Sequence, residues 1–128
     1  MSAKKIIMVD DDEDILGFLK IIFEERGFEV RTAPGGEELF KILASFTPDA
    51  ILLDMMMPRM SGETVLQKIR ADRAFDAIKV FFLSVLILPE EKINLFEKEY
   101  KISGYFNKPF AGKDLVANII NALDPSQN

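Results

Sequence analysis

Apolar runs of strand length alternate with segments of helical period along this chain, and that alternation limits the fold more than any other feature. Residues 6–9 read as a buried strand, after which Ile15, Leu16, Phe18, Leu19, Ile22 and Phe23 recur at helical spacing until Gly27 ends the helix. Residues 28–33 alternate like a second strand, with Phe28 and Val30 on one side and Glu29 and Arg31 on the other. Leu39, Phe40, Ile42, Leu43 and Phe46 mark a second helix, and Thr47-Pro48-Asp49 a turn before a third strand at 50–53. A helix with Val65, Leu66 and Ile69 on one face follows, then a fourth strand at 78–83, a weaker helix over 89–100 and a short fifth strand at 105–108. Leu115, Val116, Ile119, Ile120 and Leu123 close the chain with an amphipathic helix.

Five strands alternating with five helices imply a parallel sheet covered on both faces, because parallel neighbours need crossover connections that pack as helices. The expected fold class is α/β, a doubly wound five-stranded parallel sheet of order 2-1-3-4-5, flavodoxin-like (βα)5. A chain of 128 residues suits one such domain and is too short for two. The expected organisation is a folded unit over 1–124 and a flexible C-terminal tail at 125–128.

Composition removes several functional classes. The net charge of -5 argues against a nucleic-acid surface, since phosphate contacts need clustered Lys and Arg. With no cysteine and no histidine, thiolate and imidazole metal sites are unavailable, so any metal must be a hard, oxygen-liganded one. Lys4 and Lys5 precede only a four-residue apolar run, too short for a signal-peptide core. The longest apolar stretch, 80–88 with Ser84 inside it, falls well short of the roughly 20 residues that span a bilayer. A cytoplasmic protein, with no nucleic-acid or membrane partner, is the expectation.

In open parallel sheets, ligands bind beyond the carboxyl ends of the strands, at the switch in strand order. The residues at those ends are Asp10, Asp11 and Asp12 after the first strand, Asp54 after the third, Ser84 after the fourth and Lys108 after the fifth. In the order 2-1-3-4-5 the first and third strands are neighbours, so their carboxylates share one crevice. Two unit charges at ~4 Å repel by about 4 kcal/mol at an effective dielectric of 20. A proton, a lysine or a bound cation relieves that repulsion. An all-oxygen site with few protein ligands suits Mg²⁺ or Mn²⁺. Lys108 and Ser84 add a positive charge and a hydroxyl donor opposite, outlining a pocket for a phosphoryl group with Asp54 as nucleophile.

The strings Val9-Asp10-Asp11-Asp12, Leu52-Leu53-Asp54-Met55-Met56-Met57-Pro58 with Ser61-Gly62, Leu83-Ser84 and Tyr105-Phe106-Asn107-Lys108-Pro109-Phe110 together resemble the receiver domains of two-component response regulators, of the chemotaxis-regulator kind. The resemblance covers nearly the whole chain, in order. It implies that Asp54 receives a phosphoryl group from a sensor histidine kinase or a histidine phosphotransfer protein. It further implies that Asp11, Asp54 and the backbone carbonyl of Met56 ligate Mg²⁺, with Asp10 acting through a metal-bound water. Lys108 would pair with the phosphoryl oxygens and Ser84 would move to hydrogen-bond one of them. Tyr105 matches the aromatic position that turns inward with the serine, making the fourth helix, fifth strand and fifth helix the surface for a downstream effector. Pro109 fits a position where the family commonly has a cis peptide bond. The family implies a phosphoacceptor rather than an enzyme, and leaves open a monomer or a dimer formed on phosphorylation.

Other readings stand beside this one. Asp12 and Asp14 at a helix start read as capping and dipole compensation. Asp10-x-Asp12-x-Asp14 begins like a calcium loop, but Ile15 and Ile21 occupy the positions of its glycine and bidentate glutamate. Asp10-x-Asp12 also resembles haloacid-dehalogenase phosphatases, in which Asp10 would be the nucleophile, although Asp14 departs from that pattern. A receiver-like docking module that is not phosphorylated is the stronger rival. Val85 stands where receivers usually have Ala or Gly, Val85-Leu86-Ile87-Leu88 is apolar where many have a polar loop, and the stretch from Ser84 to Lys108 is slightly long. Lys101-Ile102-Ser103 replaces the usual Ala-Gly-Ala. Two expectations follow: Leu86 and Ile87, with Met55, form either an exposed patch or packing under an altered fourth helix, and Met56 and Leu86 flank the phosphoryl group and hinder water.

Overall fold

A computed structural model describes residues 3–124, so the tail expected at 125–128 lies outside the described residues. The elements run β1 (Lys5–Val9), α1 (Glu13–Glu25), β2 (Glu29–Ala33), α2 (Gly36–Leu43), β3 (Ala50–Leu53), α3 (Gly62–Ala71), β4 (Lys79–Ser84), α4 (Glu90–Tyr100), β5 (Ile102–Asn107) and α5 (Gly112–Leu123). All four strand pairings are parallel and the order is β2-β1-β3-β4-β5. This is the doubly wound, flavodoxin-like sheet that the alternation of apolar runs predicts.

The continuous apolar runs are explained by the period-2 geometry of a strand. Ile7, Val9, Ile51, Leu53, Val80 and Phe82 point to one face, where Leu39, Leu43, Val65, Leu66, Ile69 and Phe96 cover them. Ile6, Met8, Ala50, Leu52, Phe81 and Leu83 point to the other, under Leu16, Leu19, Phe23, Leu115, Val116 and Ile119. A strand buried on both faces therefore needs apolar residues at every position. Each fully buried aliphatic or aromatic side chain is worth about 1.5–3 kcal/mol relative to exposure, so the central strands are fixed by their own cores.

Local caps explain where the helices start. Asp12 N-caps α1, accepting from the backbone N–H groups of Asp14 at 3.0 Å and Ile15 at 3.3 Å, which is the structural role read for it from the sequence. Ser61 caps α3 by accepting from Thr64 N–H at 3.2 Å. At Gly62 an added Cβ would collide with the Asp54 carbonyl and lie 2.7 Å from the Met55 Cα, so α3 can begin against the end of β3 only because this residue has no side chain.

The structure departs from the sequence reading in the last third. β5 begins at Ile102, three residues before the expected start, with a register shift opposite Val80 and Phe81. Burial of Ile102 against the α3/α4 core draws that segment into the sheet. A one-turn 3₁₀ helix, Arg73–Phe75, carries the chain into β4. Helix α4 ends at Lys101, which adopts the left-handed conformation (φ 53°, ψ 44°) that closes a helix. Arg70 holds this end in place. Its guanidinium donates to the Tyr100 carbonyl at 2.8 Å, Ile78 at 2.8 Å, Phe75 at 3.1 Å and Lys101 at 3.4 Å.

Two substitutions test this corner. A non-glycine residue in the left-handed region costs about 1–2 kcal/mol, partly offset by the greater unfolded-state entropy of glycine, so Lys101→Gly is expected to stabilise by roughly 0.5–1 kcal/mol. Arg70→Ala strips a charged donor from four carbonyls and is expected to destabilise by about 2–4 kcal/mol. Urea denaturation of both variants checks the signs; destabilisation by Lys101→Gly would contradict the account.

Candidate functional site

The strand order brings the ends of β1 and β3 side by side, and with them two buried carboxylates, Asp10 and Asp54. Backbone bonds set their height: Asp54 N–H donates to the Val9 carbonyl at 3.0 Å and Asp10 N–H to Ala33 at 3.2 Å. Asp11 is exposed beside them, and one carboxylate oxygen from each of Asp10, Asp11 and Asp54 lies within 4.8 Å of the others. Three hard oxygen donors converging on one point, open to solvent on Asp11's side, fit a small divalent cation such as Mg²⁺.

Lys108 reaches over this cluster from the end of β5. Its Nζ lies 2.7 Å from Asp10 Oδ2 and 3.4 Å from Asp54 Oδ2. The Lys108 N–H also donates to the Ser84 carbonyl at 2.9 Å, and the peptide bond to Pro109 is cis. Asp10 Oδ1 accepts from Asp12 N–H at 2.9 Å, while Asp54 Oδ1 accepts from Met56 N–H at 3.2 Å. Asp10 is thus held by the two shorter bonds and Asp54 by the two longer ones.

Charge and burial act in opposite directions here. Burial pushes the Asp10 carboxyl above its ordinary value and Asp54's charge adds to the rise, although bonds from Lys108 and the Asp12 N–H pull it down. For Lys108, burial pulls the ammonium down, but the hydrogen bond and charge of Asp10 and then those of Asp54 outweigh it, so it is raised. Lys108 stays protonated, and its stabilising contribution is lost only as pH rises through that raised value. Asp10 behaves oppositely to a typical paired carboxylate. Its folded form holds a proton more tightly than the unfolded chain, so its unfavourable contribution fades as pH falls below the raised value.

Ser84 is fully buried at the end of β4, with its Oγ accepting from Leu86 N–H at 3.2 Å. Tyr105 is half-buried, its ring packed 5.6 Å from Phe82 and its hydroxyl donating to the Leu86 carbonyl. Burial raises the Tyr105 phenol above its ordinary value, which keeps it a neutral donor. Met56 is more than half exposed at the mouth of the site. Of the two arrangements left open for Met55, Leu86 and Ile87, packing holds for Met55, buried at 6% exposure, and for Leu86, partly buried against the α3/α4 core, while Ile87 is exposed. The exposed large apolar side chains of the loop are Val85 at 62% and Ile87 at 79%. Val85 lines an apolar pocket with Ile15, Phe18, Leu83, Lys108 and Phe110. Asn107 stands in the Tyr105–Phe110 string without a role of its own, because nothing in an alternating strand pattern distinguishes its amide.

The sequence model of the response regulator receiver domain matches residues 6–120. The chain belongs to the response regulator receiver family. This receiver domain is 33% identical over 124 residues to the alkaline phosphatase synthesis transcriptional regulatory protein PhoP of Bacillus subtilis, covering 97% of the chain and 50% of that relative. It is 33% identical over 118 residues to hybrid signal transduction histidine kinase D of Dictyostelium discoideum, covering 92% of the chain but 7% of that protein. The receiver therefore spans half or less of the length of these two relatives. A solved CheY-like receiver domain protein from Methanospirillum hungatei superposes with a TM-score of 0.85 at 29% identity, covering 96% of this chain and 95% of that one. Among the described residues no helix is long and apolar enough to cross a membrane.

Two measurements test the electrostatics. Because a cation bound by the folded state alone stabilises it, added Mg²⁺ is expected to raise the thermal midpoint of the native chain and much less that of Asp11→Asn. Without metal, the stability of the native chain relative to Asp10→Asn is expected to rise as pH falls from about 7 toward about 4, by the linkage just described. Denaturant titrations at both ends of that range read the difference, and the opposite slope would refute the raised Asp10 carboxyl.

Proposed function

We propose that this receiver domain accepts a phosphoryl group on Asp54 from a phosphohistidine and uses Mg²⁺, or Mn²⁺, held by Asp10, Asp11, Asp54 and the Met56 carbonyl, with Asp10 acting through a bound water. The observation that carries the reading is the placement of Lys108 between two buried carboxylates beside an exposed third. Asp54 is favoured over Asp10 as the nucleophile because its oxygens are held by the longer bonds, 3.2 and 3.4 Å against 2.9 and 2.7 Å. In the transfer, an Asp54 oxygen forms the new O–P bond as the donor's N–P bond breaks, and the bonding pair leaves with the imidazole nitrogen. Lys108 swings from the carboxylates to the phosphoryl oxygens, and the Ser84 hydroxyl donates to another of them. When bound, the cation neutralises carboxylates and phosphoryl oxygens together.

The donor is a sensor histidine kinase or histidine phosphotransfer protein, and the apolar pocket of Phe18, Val85 and Phe110 beside Lys108 supports that side as its approach. The effector side is α4, β5 and α5, where Tyr105 sits. The unit is residues 1–124, cytoplasmic, acting as a phosphoacceptor rather than an enzyme. A docking module without phosphorylation is favoured by one observation, the exposed Val85 and Ile87 on the β4–α4 loop. Nothing favours the phosphatase reading with Asp10 as nucleophile.

Intact mass after incubation with a small phosphodonor tests the main reading. One phosphoryl group is expected with Mg²⁺, none without it and none in Asp54→Ala; an unmodified native chain that still binds Mg²⁺ would favour the docking module. Phe18→Glu is expected to leave modification by the small donor unchanged while slowing transfer from a phosphorylated histidine phosphotransfer protein by more than about ten-fold, the effect of roughly 1.4 kcal/mol of lost contact.

A further inference from the structure

Asn107 takes no part in the phosphoryl chemistry, yet its amide reaches the part of the β4–α4 loop on which that chemistry depends. Its Nδ2 donates to the Leu86 carbonyl at 2.9 Å and to the Ser84 carbonyl at 3.2 Å. Two carbonyl acceptors also fix the orientation of the amide, because its own oxygen could donate to neither. The Leu86 carbonyl is the atom that accepts from the Tyr105 hydroxyl, and the Leu86 N–H donates to Ser84 Oγ. Leu86 is thus gripped through its carbonyl by two β5 side chains and through its N–H by the serine. Asn107 itself is anchored in the sheet, paired in register with Ser84.

We propose that Asn107 is a positioning residue that holds the Leu86 carbonyl as a standing acceptor for Tyr105, so that the tyrosine turns inward before any phosphoryl group arrives. The proposal rests on the receiver reading of Ser84 and Tyr105. Without a donor at 107, Tyr105 would be, among the described residues, the one β5 side chain hydrogen-bonded to a loop whose Val85 and Ile87 are solvent-exposed. Inward tyrosine and ordered loop would then form and break together. With Asn107 the loop stays placed whichever way the ring points, and the phosphoryl-competent arrangement is populated in advance. The net effect of one neutral hydrogen bond on such an equilibrium is roughly two- to ten-fold, and the rate of modification scales with the competent fraction.

The test uses the full chain labelled with 3-fluorotyrosine, the Tyr100 signal being assigned with Tyr100→Phe. Fluorine NMR is recorded without any phosphodonor for the native chain, for Asn107→Asp, which keeps the shape and loses the donor, and for Asn107→Leu. In both variants the inward-to-outward ratio of Tyr105 is expected to fall two- to ten-fold, the rate of modification by a small phosphodonor to fall by the same factor, and Mg²⁺ affinity to stay unchanged. An unmoved Tyr105 signal overturns the proposal, as does a slower rate without that movement or loss of the fold in both variants, since each assigns Asn107 a purely structural role. Because the NMR signal needs no phosphoryl transfer, a shifted Tyr105 in a chain that never takes a phosphoryl group would count against Asp54 as acceptor and leave the positioning role standing.

Discussion

Two carboxylates buried side by side repel, and the rest of this receiver domain is organised around tolerating that. Asp10 and Asp54 are brought together by the adjacency of β1 and β3, and neither can retreat into solvent, because each is fixed by a backbone bond to a neighbouring strand. Lys108, delivered by the far strand β5, supplies the missing positive charge. Burial above all, with a smaller contribution from Asp54's charge, leaves Asp10 harder to ionise than a free carboxylate even with an ammonium at 2.7 Å. A site in that condition gains more from a cation or a rearranged lysine than a relaxed one would.

From this centre close contacts lead outward to the neighbouring elements. Gly62 lets α3 begin against the Asp54 carbonyl, and Ser84 connects the floor of the site to Leu86 and so to β5. The aromatic rings of Phe96, Phe82 and Tyr105 then run in sequence from α4 to β5, at 6.1 and 5.6 Å. The α4 and β5 surface is joined to Ser84 by packed groups.

Most of this was legible in the sequence because period-2 and period-3.6 patterns leave a direct trace in residue type. The strand ends followed from those patterns, and the gathering of Asp10, Asp11, Asp54, Ser84 and Lys108 at one end of the sheet followed from the strand ends. What escaped was decided by tertiary context. Met55 is apolar whether it is buried or exposed, and only the close approach of α3 puts it inside. Ile102 joins β5 because a core pocket receives it, although its neighbours look like loop. Lys101 carries no sign that its backbone is left-handed, since the usual signal is a glycine. Asn107 and Arg70 matter through carbonyls, and a carbonyl is the same atom in every residue.

The clasp of Arg70 has a mechanical consequence. It fastens α4 at Tyr100 and Lys101, while the opposite end starts at Pro89 with no side-chain cap and only Phe96 of the helix is fully buried. Eleven residues of helix extend roughly 16 Å from that fastening. Between the two ends the helix is tied by the buried Phe96 and by the 3.5 Å pair of Lys92 with Glu63 of α3, so a tilt about Arg70 moves the Pro89 end more than the Tyr100 end. That end runs directly into the loop of Ser84 and Leu86, so the clasped end of α4 lies at the amino-terminal ends of β4 and β5 and its uncapped end at the carboxyl-terminal end of β4, where the site is.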